Sequence, residues 1–319
     1  VTPAGALGAA AQVVLVGAGS PLLVGAMRQV RARMEGRAGA GVAQPWRDLR
    51  KLLRKEAIAA DGTGPLFRIA PLVLAATALV AAAVVPIATT ASPLDGSADL
   101  FAVTALLALG TVALALGGLD TATAFGGMGA SREMVVLALV EPTILLSVFA
   151  LSGRVGSTDL GAIVGSALHR PELVVSPVSL LAAVALAVVV IAETGRIPVD
   201  NPATHLELTM IHEAMVLEYA GPDLALVEWA SAMRLTVLLG LFANLFAPWG
   251  IADASGAMPP VIALPIAMAV FTGKVALLGG ALAAGEVFMA KLRMFRVPEL
   301  LAGSFVMALL AVAASYFLA

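Results

Sequence analysis

Residues 177–219 read PVSLLAAVALAVVVIAETGRIPVDNPATHLELTMIHEAMVLEY, an apolar run that meets a dense block of ionisable groups without a break. The run is long enough to cross a hydrocarbon core as a helix, which takes about 17–25 residues. The block holds Glu193, Arg196, Asp200, His205, Glu207, His212, Glu213 and Glu218. Around this stretch lie long runs of Ala, Leu, Val and Gly. Over all 319 residues, 60% are hydrophobic and 13% charged, with a mean hydropathy of +0.99. A soluble globular domain is about 45–50% apolar and about 25% charged. The composition therefore predicts an all-α polytopic membrane protein, one integral membrane domain over 1–319, and excludes a soluble fold.

Working outward, about eight runs are predicted to span the bilayer: roughly 5–27, 68–90, 99–119, 133–151, 177–193, 229–248, 259–284 and 298–318. Lys and Arg are shared unevenly between the connecting segments. The segment after the first span carries ten, from Arg28 to Arg68, and the others on that side add Arg132, Arg196, Lys291, Arg293 and Arg296. The opposite side has only Arg154 and Arg170. This positive-inside asymmetry predicts that the basic side faces the cytoplasm and both termini face away from it. The opening VTPAGALGAA has no basic n-region, so the first span is expected to be retained and not cleaved. The chain has no cysteine. It therefore holds no thiolate-ligated cluster and no disulfide, and any redox centre it serves belongs to a partner. No nucleic-acid partner is expected.

Residues 28–67 form a basic cytoplasmic loop. Within it, QPWRDLRKLLRKE (44–56) reads as an amphipathic helix with Pro45 near its first position. Trp46, Leu49, Leu52 and Leu53 recur on one face, and Arg47, Arg50, Lys51, Arg54 and Lys55 occupy the other. Such a helix lies on anionic headgroups, or docks a cytoplasmic partner, or does both. The candidate docking set is Arg37, Trp46, Arg47, Asp48, Arg50, Lys51 and Arg54, joined by Lys291, Arg293 and Arg296 from the last basic segment.

Residues 194–228 form a second cytoplasmic loop, which carries the charged block. Pro198 and Pro202 bracket an irregular turn, and 203–219 is predicted to be helical. At 100° per residue, Glu207 and Glu218 share one face, His205 and His212 the nearly opposite face, and Glu213 lies between them. The other positions are apolar, so these carboxylates are partly buried or line a wet cavity. Two histidines seven apart lie roughly 10 Å apart along the axis, whereas a shared zinc needs them four apart on one turn. No metal site is expected. A secondary transporter would show paired broken helices and an internal repeat, and neither is evident. The remaining reading is a proton-conducting or redox-coupled site, in which buried carboxylates exchange protons through water. Glu141, Lys274, Glu286 and Arg234 lie at apparent membrane depth and fit it. Each costs about 2.5–3.5 kcal/mol at a helix centre on insertion scales, so a functional or paired role is the default. A packing ion pair is the competing reading, above all for Arg234.

The block ETGRIPVDNPATHLELTMIHEAMVLEYAG resembles the signature of the subunit 1 family of NADH–quinone oxidoreductase (complex I). It resembles more closely the group 4 [NiFe] hydrogenase branch, that of formate hydrogenlyase subunit 4 and the hydrogenase-4 component. The first loop, GRAGAGVAQPWRDLRKLLRKE, and residues 286–299, EVFMAKLRMFRVPE, resemble two further segments of the family. The resemblance implies an eight-span subunit of a bacterial or archaeal cytoplasmic membrane, without a redox cofactor of its own. It implies a hydrogenase-like large subunit carrying a [NiFe] site and a small subunit carrying iron–sulfur clusters, both docked on the cytoplasmic side. Antiporter-like membrane subunits would lie beside it in the lipid bilayer. Glu193, Arg196, Asp200 and Glu207 match family positions, and Glu218 with Tyr219 matches its E-Y pair. With Glu141, Glu213, Lys274 and Glu286, these carboxylates form the candidate proton (or sodium) coupling set, and Arg196 and Arg234 are candidate structural ion pairs. Quinone-reducing members carry F-D-L-P-E-x-E where this chain has Val199 to His205, with Ala203 and His205 in place of two carboxylates. That weighs against quinone binding. A quinone-chamber subunit of a NADH- or ferredoxin-linked enzyme, or a stand-alone transporter, is the alternative.

Overall fold

The computed structural model describes residues 3–59, 61–90, 98–200, 210–253, 259–293 and 296–317. Twelve helices follow one another among them: α1 (Pro3–Met34), α2 (Gln44–Leu52), α3 (Pro65–Val84), α4 (Leu100–Asp120), α5 (Ala124–Ser152), α6 (Leu160–His169), α7 (Pro171–Val174), α8 (Pro177–Glu193), α9 (His212–Val216), α10 (Gly221–Phe246), α11 (Pro260–Phe288) and α12 (Val297–Phe317). Seven of them, α1, α3, α4, α5, α10, α11 and α12, are long and apolar enough to cross a membrane. The 17-residue α8 sits at the lower limit of that range. Each expected span is thus a helix, and the all-α membrane fold stands.

Several boundaries differ from expectation. The fourth span starts at Ala124 and not near 133, because Thr123 caps it by accepting a hydrogen bond from Gly126 N at 3.0 Å. Its Gly-rich first turns read as loop but are required by packing: a Cβ on Gly129 would lie 2.9 Å from Ala214 Cβ. The sixth span starts at Gly221, inside the expected 194–228 loop, with Pro222 in the first turn where a missing N–H costs nothing.

α3 packs on α4 and α10, α4 on α5, and α5 on α8 and α12. α1 packs on α10 and α11. The consecutive helices α11 and α12 therefore sit against different neighbours, and the segment between them passes over the 196–200 turn, where Leu292 N donates to Pro198 O at 2.9 Å. At the other end of the bundle α3 stops before Pro86. The side chain of Gln12 donates to Ala83 O at 2.8 Å, and that of Asn244 donates to Pro86 O and Ile87 O at 2.8 and 2.9 Å. Non-helical backbone at this depth is tolerated because buried side chains satisfy it.

α1 runs through Pro21, whose missing N–H makes a break in the hydrogen-bond ladder and leaves Gly17 O without its donor four residues on. The indole of Trp229 in α10 donates to Gly17 O at 2.8 Å, and that of Trp46 in α2 donates to Ala18 O at 3.1 Å. α2 is thereby fastened to the break in α1, with Pro45 and Leu49 buried beneath it. Trp229→Phe keeps most of the ring and removes the donor. It should lower stability by about 1 kcal/mol, the usual net worth of one hydrogen bond, seen as a lower unfolding midpoint in detergent. An unchanged midpoint would show that the break needs no donor.

Candidate functional site

The site is built where α8 ends. Arg196 N donates to Ile191 O at 3.0 Å and Gly195 turns the chain at φ +58°, a conformation that favours glycine. The turn leaves Glu193 on the last turn of α8, beside the negative end of the helix dipole, where a carboxylate needs a counter-ion. Arg234 of α10 supplies it through an ion pair from Nη2, and only 7% of the Arg234 side chain and 3% of the Glu193 side chain are exposed. Arg234 Nη2 also donates to Thr111 Oγ1 at 2.6 Å and Leu107 O at 3.0 Å, and Thr111 Oγ1 donates to Glu193 Oε1 at 3.3 Å.

Asp200 organises the next segment. Its Oδ2 accepts from Ile211 N at 3.0 Å and His212 N at 3.1 Å, and its Oδ1 accepts from Lys291 Nζ at 2.9 Å. This overturns the expectation of one helix over 203–219. Met210 and Ile211 are not helical, and a new helix, α9, runs only from His212 to Val216. By capturing two amides, Asp200 starts that helix afresh, so the angular relation expected between Glu218 and the residues upstream is lost. Glu218 lies beyond α9, where its carboxylate accepts a hydrogen bond from Thr123 Oγ1 at the start of α5. His205 and Glu207 lie outside the described residues.

α9 is seated on α4 and α5. That brings His212 to Glu133 of α5, with Nδ1 3.9 Å from Glu133 Oε1. Glu133, 8% exposed, was not anticipated. It stands at the edge of the expected fourth span, and its neighbour Arg132 donates to Met210 O at 2.8 Å. Glu193 lies within electrostatic reach of both Glu133 and Glu141. Glu141 is half-buried farther along α5.

At the basic end Asp200 and His212 border a cavity of about 290 Å³. It is walled by α1, α2, the 194–200 segment, α9, α10 and the end of α11, with Arg28, Arg31, Arg196, Asp200, His212, Glu213, Glu228 and Glu286 among its lining. Glu286, 5% exposed, accepts from Arg196 Nη1 at 3.4 Å and lies 3.8 Å from Arg31 Nη1. Burial holds the Arg196 guanidinium below the ordinary arginine range, and the Glu286 charge partly offsets this. Three stretches distant in sequence, the first loop, the charged block and the 286–293 segment, thus meet at one place.

Lys274 does not join them. Its Nζ donates to Asn244 Oδ1 at 3.2 Å and Ala247 O at 2.5 Å, at the end of α10. Asn244 follows Arg234 by ten residues, about 15 Å along a helix. Among the docking candidates, Arg37, Arg47, Arg50, Lys51, Arg54, Arg293 and Arg296 are exposed. Trp46, Asp48 and Lys291 also serve the fold: Trp46 holds α1, Asp48 Oδ1 accepts from Gln44 Nε2 at 2.8 Å, and Lys291 holds Asp200. Among the described residues no three His, Cys, Asp or Glu converge to hold a metal ion.

The family described as NADH dehydrogenase matches the chain over residues 7–317. The chain is 38% identical to hydrogenase-4 component C of Escherichia coli (strain K12) over 243 residues, 76% of this chain and 75% of that one. It is 34% identical to formate hydrogenlyase subunit 4 of the same organism over 302 residues, 94% and 95% of the two chains. NADH-quinone oxidoreductase subunit 8 of Rhodothermus marinus is 28% identical over 240 residues, 70% of this chain and 68% of that one. In fold, the chain is similar to one from the membrane-bound sulfane sulfur reductase, an archaeal respiratory membrane complex. The TM-score is 0.81 at 19% identity, covering 97% of this chain and 98% of that one.

Proposed function

The chain belongs to the NADH dehydrogenase (complex I subunit 1-like) family, and from that premise we propose that it is the anchor and coupling subunit of a group 4 hydrogenase-type redox complex. Its basic end faces the cytoplasm, as the charge asymmetry favours, and docks a hydrogenase-like large subunit and an iron–sulfur small subunit. Those partners carry the [NiFe] site and the clusters, since this chain has no cysteine to hold one. Antiporter-like subunits lie beside it in a bacterial or archaeal cytoplasmic membrane.

The observation that carries this reading is the charged cavity beneath the docking face, bordered by residues that lead to Glu133, Glu193 and Glu141. Redox chemistry above it changes the charge at the 196–200 turn. That change is transmitted through Asp200 and α9 to the buried carboxylates, which hand protons (or sodium ions) to neighbouring membrane subunits. The cavity wall mixes charged side chains with apolar ones such as Val24, Met27, Leu49 and Leu235, while identity is higher to the two hydrogenase-complex subunits, at 38% and 34%, than to the quinone oxidoreductase subunit, at 28%. This favours the hydrogenase branch over a quinone chamber.

The test is to reverse Arg50, Lys51 and Arg54 to Glu. Docking through exposed charge should weaken, so that the soluble subunits dissociate at lower salt while the membrane subunit still inserts. Mass spectrometry of the parental complex should find a Cys-rich iron–sulfur subunit and a hydrogenase-like large subunit. Unchanged retention of the soluble arm at every ionic strength refutes the docking role. A lone oligomer without redox subunits refutes the whole reading.

A further inference from the structure

We propose that His212 is the proton relay between the cavity and the buried carboxylates, taking a proton on Nε2 from the cavity side and passing the one on Nδ1 to Glu133. The inference deepens the coupling reading and rests on it. His212 lines the cavity with 24% of its side chain exposed, while Nδ1 faces Glu133 on α5. The other ring nitrogen, Nε2, lies 3.5 Å from Ser231 Oγ of α10, which also lines the cavity. The ring therefore stands between the cavity and a carboxylate side chain only 10% exposed. The 3.9 Å to Glu133 is longer than a hydrogen bond and is spanned by one bridging water or a small rotation of the ring.

The groups around the ring set its chemistry. Glu133 approaches from α5, Asp200 holds the backbone N–H of His212 at 3.1 Å, Arg234 and Ser231 face it from α10, and Glu213 adjoins it on α9. Burial first, then the Arg234 charge, hold the imidazolium down so that it forms only near pH 4. At neutral pH the ring is uncharged, with one nitrogen free to accept, and a proton it takes is passed on and not trapped. The cycle balances in protons. Nε2 gains one by way of Ser231 and cavity water, and Nδ1 yields one to the Glu133 carboxylate. The neutral ring then turns toward the cavity, where water gives Nδ1 a proton as it takes one from Nε2, restoring the starting tautomer with no net change in protons. Because Asp200 grips the first amide of α9 while Lys291 grips Asp200, movement of the docking face moves this ring. The relay thus has a built-in link to the redox arm.

The experiment uses the whole complex in vesicles, with ion uptake driven by its own redox reaction and assembly followed on native gels. The variants are His212→Ala, His212→Gln and Glu133→Gln. The relay predicts uptake slowed about tenfold in both histidine variants. It also predicts partial restoration of His212→Ala, and not of His212→Gln, by free imidazole, which fits the vacated space and carries protons. Parental uptake in both histidine variants with slow uptake in Glu133→Gln overturns the relay and leaves the coupling reading intact. Parental uptake in all three overturns both. Slow uptake that imidazole does not restore, with an unaltered pH profile, assigns His212 to packing and overturns the relay. If His212→Ala fails to assemble, His212→Gln decides alone: parental uptake refutes the relay, and slow uptake with a changed pH profile supports it.

Discussion

Arg234→Met is expected to cost the folded subunit about 3–5 kcal/mol, enough to deplete it from the membrane, whereas Arg234→Met combined with Glu193→Leu recovers most of that loss. The asymmetry follows from where the pair sits. Both side chains are nearly sealed from solvent, and the guanidinium Nη2 also holds Leu107 O and Thr111 Oγ1. Its Nε is buried with no hydrogen-bond partner among the described residues, so the site already carries one unmade bond. Removing the cation strands a carboxylate at the negative end of α8, where it must stay charged without a counter-ion or take up a proton. Removing both charges replaces two desolvated ions by apolar contacts, which buried pairs often tolerate. The four corners of the cycle, compared by membrane yield and by unfolding in detergent, isolate the pairwise energy. A double variant as depleted as Arg234→Met alone would show that the guanidinium acts through Leu107 and Thr111 and not through Glu193.

The same pair shows how far sequence reasoning reached. Hydropathy alone placed every span, because a hydrocarbon core demands apolar length whatever the packing. It also marked Arg234 as paired or functional, since an ion at that depth is costly. Choosing the partner needed the crossing of α8 and α10. Glu133 escaped notice because the expected span began there, whereas α5 starts nine residues earlier and carries it inside the bundle. The helix over 203–219 failed for a different reason. Periodicity treats a segment as isolated, and the cap from Asp200 arrives from eleven residues upstream through a turn that Lys291 stabilises from the far side of the chain. Lys274 was legible as an ion inside a span, but its partners were not: its contacts lie with Asn244 and Ala247, about 15 Å along α10 from Arg234. The cavity could not be read from any single motif, because its walls come from the first, central and last basic segments together.

Glu133→Gln and Glu141→Gln should leave the complex assembled while ion uptake falls by about tenfold or more, equivalent to roughly 1.4 kcal/mol in the barrier. Gln matches Glu in shape and hydrogen bonding but cannot titrate, so the exchange removes proton chemistry and little else. Neither residue is the sole partner of a buried cation. Glu133 faces His212 at 3.9 Å. Glu141 has a half-buried side chain, and the nearest basic residue in its helix, Arg132, is held by Met210 O. Glu193→Gln is a poor probe of the same path, because it unpairs Arg234 and so confounds stability with transfer. The choice of positions therefore matters more than the number of carboxylates replaced. Uptake is measured in vesicles with pH-sensitive and sodium-sensitive dyes in parallel, which identifies the ion, and electron transfer is followed alongside. Tight coupling slows electron transfer with uptake, and loose coupling spares it. Assembled Glu133→Gln and Glu141→Gln complexes that take up ions at the parental rate would show that these glutamates serve helix packing, and that the coupling path leaves the cavity by another route.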